Sequence, residues 1–256
     1  MKKTATNSDF VPLLTLSLPR MDKEEVYASL KAAIQREGCT KVYTPNPQMA
    51  LCAYDSPEFA NILKRGDLLF SDGIGLVLAS RLVGHPLPTR IAGIDAGRFV
   101  LEEANKQALS VAFLGAKPGI AARAAARLRH DLPNLHICYT HHGYFNRNGR
   151  ENDAVLASLR NAKPDILFVC FGSPEQEKWI DRYAKEIPSL RLCMGLGGSL
   201  DVWAGNVRRA PNLVRICGLE WLWRTACEPR RARIFLDIPR FFLLVLSSEK
   251  KRHKKP

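Results

Sequence analysis

Residues 43–75 read YTPNPQMALCAYDSPEFANILKRGDLLFSDGIG. Two short apolar segments, Lys41-Val42-Tyr43 and Asp67-Leu68-Leu69-Phe70, each run into a compact polar and glycine set. The first ends in Thr44-Pro45-Asn46 and the second in Ser71-Asp72-Gly73-Ile74-Gly75. Such a set between a strand and a helix is typical of an α/β sheet, and open sheets of that class keep their sites at the carboxyl ends of strands. The stretch therefore points to a fold class and to a candidate chemical centre, Asp72.

The same alternation extends in both directions. Asp22 followed by Glu25 forms a capping box, and Val26, Leu30 and Ile34 recur at helical spacing, which predicts a helix over 22–36. A strand over 41–43 delivers Thr44, Pro47 opens a helix, and Ser56 caps a further turn through Leu63. A strand over 67–70 delivers Asp72, a helical run covers 74–82, and a loop from Gly84-His85-Pro86 carries Arg90, Gly93 and Asp95 before a helix over 96–107. Strands over 110–116, 135–139, 165–172 and 190–198 then alternate with helical segments, of which 118–132 is the richest in alanine. About six strands joined by right-handed crossovers predict a Rossmann-like, mainly parallel sheet with helices on both faces.

Charge divides the chain unevenly. From Arg208 onward there are 13 Lys and Arg against 4 Asp and Glu, a net +9 of the total +13. We therefore expect an α/β catalytic domain over 1–207 and a basic, amphipathic helical appendage over 208–256. Segment 234–248 would span only about 22 Å as a helix, short of the roughly 30 Å hydrocarbon core, and Asp237, Pro239 and Arg240 interrupt it. It suits lying on an anionic membrane surface, with Phe, Leu and Trp inserted and Arg and Lys at the phosphates. Packing on the body or in an oligomer is a second reading. Nucleic-acid binding is a third, which the apolar run Phe241 to Leu246 disfavours.

The seven cysteines include no CxxC pair and several lie in apolar runs, as expected of free thiols in a reducing compartment. The N-terminus lacks the apolar run of a signal peptide, and the patch from Phe10 to Leu18 is expected to pack on the body.

Gly115-x-x-x-Gly119 and Gly195-x-Gly197-Gly198 follow strands, but neither is the three-glycine dinucleotide fingerprint, and no GxxxxGK[ST] loop is present. Backbone N–H groups at such turns can still receive a phosphate. The sequence has no D-x-D, no HExxH and no spaced His/Cys set, so no metal site is expected. If the reaction moves a diphosphate-linked group, the charge that develops on its departure would then fall to arginines: Arg90 in the body, and Arg208, Arg209, Arg224, Arg230 and Arg231 in the tail. Asp72 reads either as a shielded base or as an Asx turn or helix cap. Thr44 and Asn46 read as ligands or caps. In FGSPEQEKWI (171–180), Gly172 supplies a turn, Ser173 a cap and Pro174 a first helical position, and Gln176 could read a base edge or a sugar hydroxyl.

Taken together, TPNPQM (44–49), GDLLFSDGIGLVLA (66–79), PLPTRIAGIDA (86–96), AFLGAKPG (112–119), HHGYF (141–145), PDILFVCFGSPEQEKWI (164–180), GLGGSLDVWAGNVRRAP (195–211) and GLEWLWRTACEPRR (218–231) resemble the WecG/TagA/CpsF glycosyltransferase family of bacterial cell-surface polysaccharide and teichoic-acid synthesis. The blocks occur in family order over most of 42–233. The resemblance implies inverting, metal-independent transfer of a sugar from a UDP-sugar to a polyprenyl-diphosphate-linked saccharide, with no cofactor beyond the donor, at the cytoplasmic face of the membrane. By position it implies Thr44 and Asn46 as first-motif ligands, Asp72 as general base, Arg90 as the following arginine and Gln176 as the glutamine of a PxQE motif. Arg224 and Arg230 or Arg231 would be site arginines from the appendage. Gly115, Gly172 and Asp201 complete the donor-binding candidates. Where many members have GGAFD, this chain has Gly197-Gly198-Ser199-Leu200-Asp201 and keeps the aspartate. UDP-N-acetylmannosamine, its uronic acid, UDP-glucose and UDP-glucuronate are all plausible donors. A cytosolic Rossmann-like enzyme with a nicotinamide or adenosine cofactor is the main alternative, and a basic nucleic-acid-binding module is another.

Overall fold

A computed structural model describes residues 10–227 and 233–252 of the chain. It opens with an antiparallel hairpin, β1 (Phe10–Leu13) and β2 (Leu16–Pro19). Val11, Leu13, Leu16 and Leu18 of that hairpin are buried, so the N-terminal apolar patch does pack on the body.

Helix α1 (Lys23–Gln35) carries the expected reciprocal Asp22–Glu25 capping box. Strand β3 (Thr40–Tyr43) leads into α2 (Pro47–Asp55), which Asn46 caps by accepting from the Met49 N–H at 3.0 Å. Ser56 caps α3 (Pro57–Lys64), and the short strand β4 (Leu68–Leu69) leads to α4 (Ile74–Leu82). Helix α5 (Gly93–Gln107) begins three residues before the expected 96, so Gly93 and Asp95 belong to its first turn instead of the loop. The remaining alternation follows the expected order: β5 (Ser110–Gly115), α6 (Ile120–Asp131), β6 (His136–His141), α7 (Arg150–Ala162), β7 (Ile166–Cys170), α8 (Glu175–Tyr183) and β8 (Leu192–Gly195). Four more helices follow: α9 (Ser199–Trp203), α10 (Asn212–Ile216), α11 (Glu220–Cys227) and α12 (Ile234–Arg252).

Six strands form one parallel sheet in the order β4-β3-β8-β7-β5-β6. The central strands are apolar on both faces, as a sheet covered on both sides requires. Along β7, Leu167 and Val169 enter a core with the hairpin, α2, α3, α4, α7 and α8. Ile166, Phe168 and Cys170 enter the opposite core with α1, α5, α6 and α9. The Rossmann-like expectation therefore holds in architecture, and every parallel strand ends at the same edge.

Helix α12 passes without a break through the residues expected to interrupt it. The Gln48 side chain donates to Asp237 at 3.0 Å, and Arg240 forms a two-pronged pair with Asp55 at 2.6 and 2.8 Å, so these polar residues anchor α12 to α2. Phe241 and Val245 are buried in the first core, while Leu236 and Leu243 remain exposed. Among the described residues no helix is long and apolar enough to cross a membrane.

Because Phe241 is fully buried, Phe241→Ala is expected to lower the unfolding free energy by about 3–5 kcal/mol. Urea denaturation measures this. A loss below about 1 kcal/mol would mean that α12 is not packed into the core.

Candidate active site

The first two polar sets are laced together at the carboxyl edge of the sheet. The Asp72 N–H donates to the Pro45 carbonyl at 2.8 Å, and the Ile91 N–H to the Ser71 carbonyl at 3.0 Å. Gly75 lets α4 approach the start of α2, since a Cβ there would lie 2.6 Å from Pro47 Cγ. Gly73 occupies the N-cap position of α4 and no side chain caps that helix, so Asp72 is not spent as a cap.

Gly93, the first residue of α5, marks where three loops meet. A Cβ on it would sit 3.1 Å from Thr44 Oγ1, 3.5 Å from Asp72 Oδ2 and 3.5 Å from Leu196 Cδ2. Thr44 and Asp72 are thus brought together beside a helix N-terminus. Burial pushes the Asp72 carboxyl up to about 6, although a backbone hydrogen bond from Gly93 and the charge of Arg90 favour its ionised form. Glu220 raises it further, and Arg224 opposes that rise. A carboxylate with this proton affinity is suited to take a proton near neutral pH.

Sequence reasoning placed Gln176 as a reader of substrate. In the fold its side chain is 4 % exposed and engaged inside the protein. The Gly172 and Gly197 N–H groups both donate to its Oε1, at 3.3 and 2.8 Å, and its Nε2 donates to Glu177 Oε1 at 2.7 Å. Two N–H donors converging on one atom identify it as the carbonyl oxygen. Gln176 therefore ties the loop after β7 to the loop after β8, and Gly195 leaves room for it: a Cβ there would meet Nε2 at 2.8 Å. Gly172 sits at φ 90 and Gly115 at φ 144. At Gly115 the approach is closer still, because a Cβ would lie 2.4 Å from the Cys170 carbonyl oxygen. Asp201 lies in α9, the helix that follows β8.

The segment after Arg208 lies across this edge. Gly218 packs on Ile74, the first residue of α4, at a distance that a Cβ would reduce to 2.9 Å, and Arg224 Nη2 would meet a Cβ on Gly198 at 2.9 Å. The tail thus brings Arg224 to the glycine turn after β8. Arg209 instead forms a two-pronged pair with Asp95 at 2.5 and 2.7 Å. Arg230 and Arg231 lie outside the described residues.

Glu220 was not singled out from the sequence. It stands between two arginines, 3.5 Å from Arg90 Nη2 and 3.3 Å from Arg209 Nε. The available signal was its rarity, since it is one of only 4 acidic residues from Arg208 onward. Among the described residues there is no group of three or more His, Cys, Asp or Glu arranged to hold a metal ion. The rings of His141 and His142 lie against each other in a tilted arrangement, centroids 4.3 Å apart.

Residues 11–255 match the glycosyl transferase WecG/TagA/CpsF family. The chain is 36% identical over 209 residues to an N-acetylglucosaminyldiphosphoundecaprenol N-acetyl-beta-D-mannosaminyltransferase of Bacillus spizizenii, covering 82% of this chain and 79% of that protein. It is 35% identical over 211 residues to the Bacillus subtilis enzyme of the same name, covering 82% and 80%. A Staphylococcus aureus protein of that name is 28% identical over 251 residues, 97% of each chain. With most of its length matched and its motif residues gathered at one sheet edge, the chain belongs to the WecG/TagA/CpsF family of glycosyl transferases.

Proposed function

We propose that this protein transfers a sugar from a UDP-sugar to a polyprenyl-diphosphate-linked saccharide in cell-surface polysaccharide synthesis, with inversion at the anomeric carbon and without a metal ion. The carrying observation is Asp72, held beside the start of α5 with its carboxyl raised to about 6 and with Arg90 and Arg224 in electrostatic reach. In this mechanism Asp72 takes the proton from the acceptor hydroxyl as that oxygen attacks the anomeric carbon from the face opposite the diphosphate. Arg90 and Arg224 oppose the negative charge that gathers on the departing UDP, the part a cation would otherwise play. Thr44, Asn46 and the glycine turns at Gly115 and Gly172 form the donor's bed, together with Asp201. Gln176 shapes that bed by tying two of its loops together. The names of the Bacillus and Staphylococcus relatives make UDP-N-acetylmannosamine the first donor to test and an N-acetylglucosaminyl-diphosphate polyprenol the first acceptor.

Asp72→Asn is expected to lower turnover by about a hundredfold or more while donor binding stays within a few-fold. In the wild type the base works ionised, so kcat/KM should rise with pH through about 6 and then level. Acceptor-dependent UDP release, measured with EDTA present, reads both effects. Full turnover by the asparagine variant would remove Asp72 as the base, and silence in EDTA relieved by a divalent cation would remove the metal-independent part.

The segment from 208 onward is proposed to be the membrane-associating appendage, acting peripherally at the cytoplasmic face. Two observations support this. Leu213 and Ile216 of α10 are 77% and 73% exposed, and they sit in the most basic part of the chain, which suits an anionic lipid surface. Deleting the whole segment would also remove Phe241 and Val245 from the core, so surface substitutions give the cleaner test. A Leu213→Ser, Ile216→Ser double variant is expected to weaken sedimentation with phosphatidylglycerol vesicles by at least about tenfold, with an unchanged melting temperature. Equal binding would move the contact elsewhere.

A further inference from the structure

We propose that Glu220 is a positioning residue: from the first turn of α11 it clasps Arg90 and Arg209, fastening the tail over the catalytic edge and setting the electrostatic environment in which Asp72 works. The inference rests on the reading of Asp72 as the general base and adds a residue to that site.

Glu220 Oε2 lies 3.5 Å from Arg90 Nη2, and its Oε1 lies 3.3 Å from Arg209 Nε. Arg209 in turn holds Asp95 through both ends of its guanidinium, at 2.5 and 2.7 Å. Arg90 precedes α5, Asp95 lies in its first turn, and Glu220 opens α11. A chain of alternating charge, Arg90, Glu220, Arg209, Asp95, thus ties α11 to the segment that carries the Gly93 contact with Asp72. The side chains of Arg90 and Glu220 are only 17% and 16% exposed, so their attraction is screened less than that of a surface pair.

Two consequences follow for the reaction. With α11 fastened, Arg224 four residues later is held at Gly198. Among the described residues, the charged groups that act most strongly on Asp72 are Arg90 before α5 and Glu220 and Arg224 on α11, with the Gly93 N–H from α5. Glu220 is the one negative charge among them, and it counters the arginines that would otherwise make Asp72 a weaker base. The protein thereby keeps arginines beside the departing diphosphate while limiting their effect on the base.

The test compares full-length wild type with Glu220→Gln, which keeps shape and removes charge. The acid limb of kcat/KM is expected to move to lower pH by about half a unit to one unit, and a carbon-13 titration of the Asp72 carboxyl should move in the same direction. A folding defect alone would lower the rate without moving the limb. Identical Asp72 midpoints in the two proteins would overturn the inference. Should the glutamine chain not fold, Glu220→Asp serves: it keeps the charge but shortens the reach to Arg90, so the limb should stay in place while turnover falls several-fold, and unchanged turnover would overturn the clasp. If Asp72→Asn keeps full turnover, the base assignment fails separately, while the carbon-13 titration still decides whether Glu220 acts on Asp72.

Discussion

Parallel strands covered on both faces have little room for polar side chains along their length. In this protein β7 sends Leu167 and Val169 into one core and Ile166 and Phe168 into the other, and β5 does the same with Ala112 and Leu114 against Val111 and Phe113. Polar chemistry is displaced to the strand ends, where turns expose backbone N–H groups and helices begin. Because all six strands run in one direction, their carboxyl ends share an edge, and residues as distant in sequence as Thr44, Asp72 and Leu196 gather around Gly93.

Glycines at that edge are there for space as much as for dihedral freedom. Gly93 admits Thr44 and Asp72 to the start of α5, Gly195 admits the Gln176 amide, and Gly75 admits Pro47. Each lets a second element approach the sheet edge more closely than a side chain would allow. The result is a set of loops joined to one another before any substrate arrives, which is the preorganisation that charge stabilisation in a transition state requires.

The basic tail is less uniformly available than its composition implies. Arg240 is paired with Asp55 and Arg209 with Asp95 and Glu220, so part of the net charge serves to fasten helices to the body. Arg224 is placed at the glycine turn after β8. The apolar residues divide in the same way: Phe241 and Val245 complete a core, while Leu213, Ile216 and Leu236 face outward. One segment thus contributes to the core, to the sheet edge and to an exposed surface through different side chains.

The order of helices and strands, their caps and the position of Asp72 were legible in the sequence because they depend on local chemistry. The Asp22–Glu25 box, the Asn46 and Ser56 caps and two-sided apolar strands act within a few residues. Thr44 and Asp72 were marked by strand-end sets and by the resemblance, and Arg224 by the charge of the tail and by the resemblance. The early start of α5 was not, because Gly93 opens a helix where loops from three strands close on it. The internal role of the Gln176 amide was not, because its partners Gly172 and Gly197 come from two different strand ends. The clasp of Glu220 on Arg90 joins residues 130 positions apart, and the anchoring of α12 on Asp55 spans 185. Local pattern determined which elements form and which polar residues stand at their ends. Only the parallel topology and the return of the tail across it decided which of those residues meet, because charge pairing and close packing depend on distances that sequence separation does not encode.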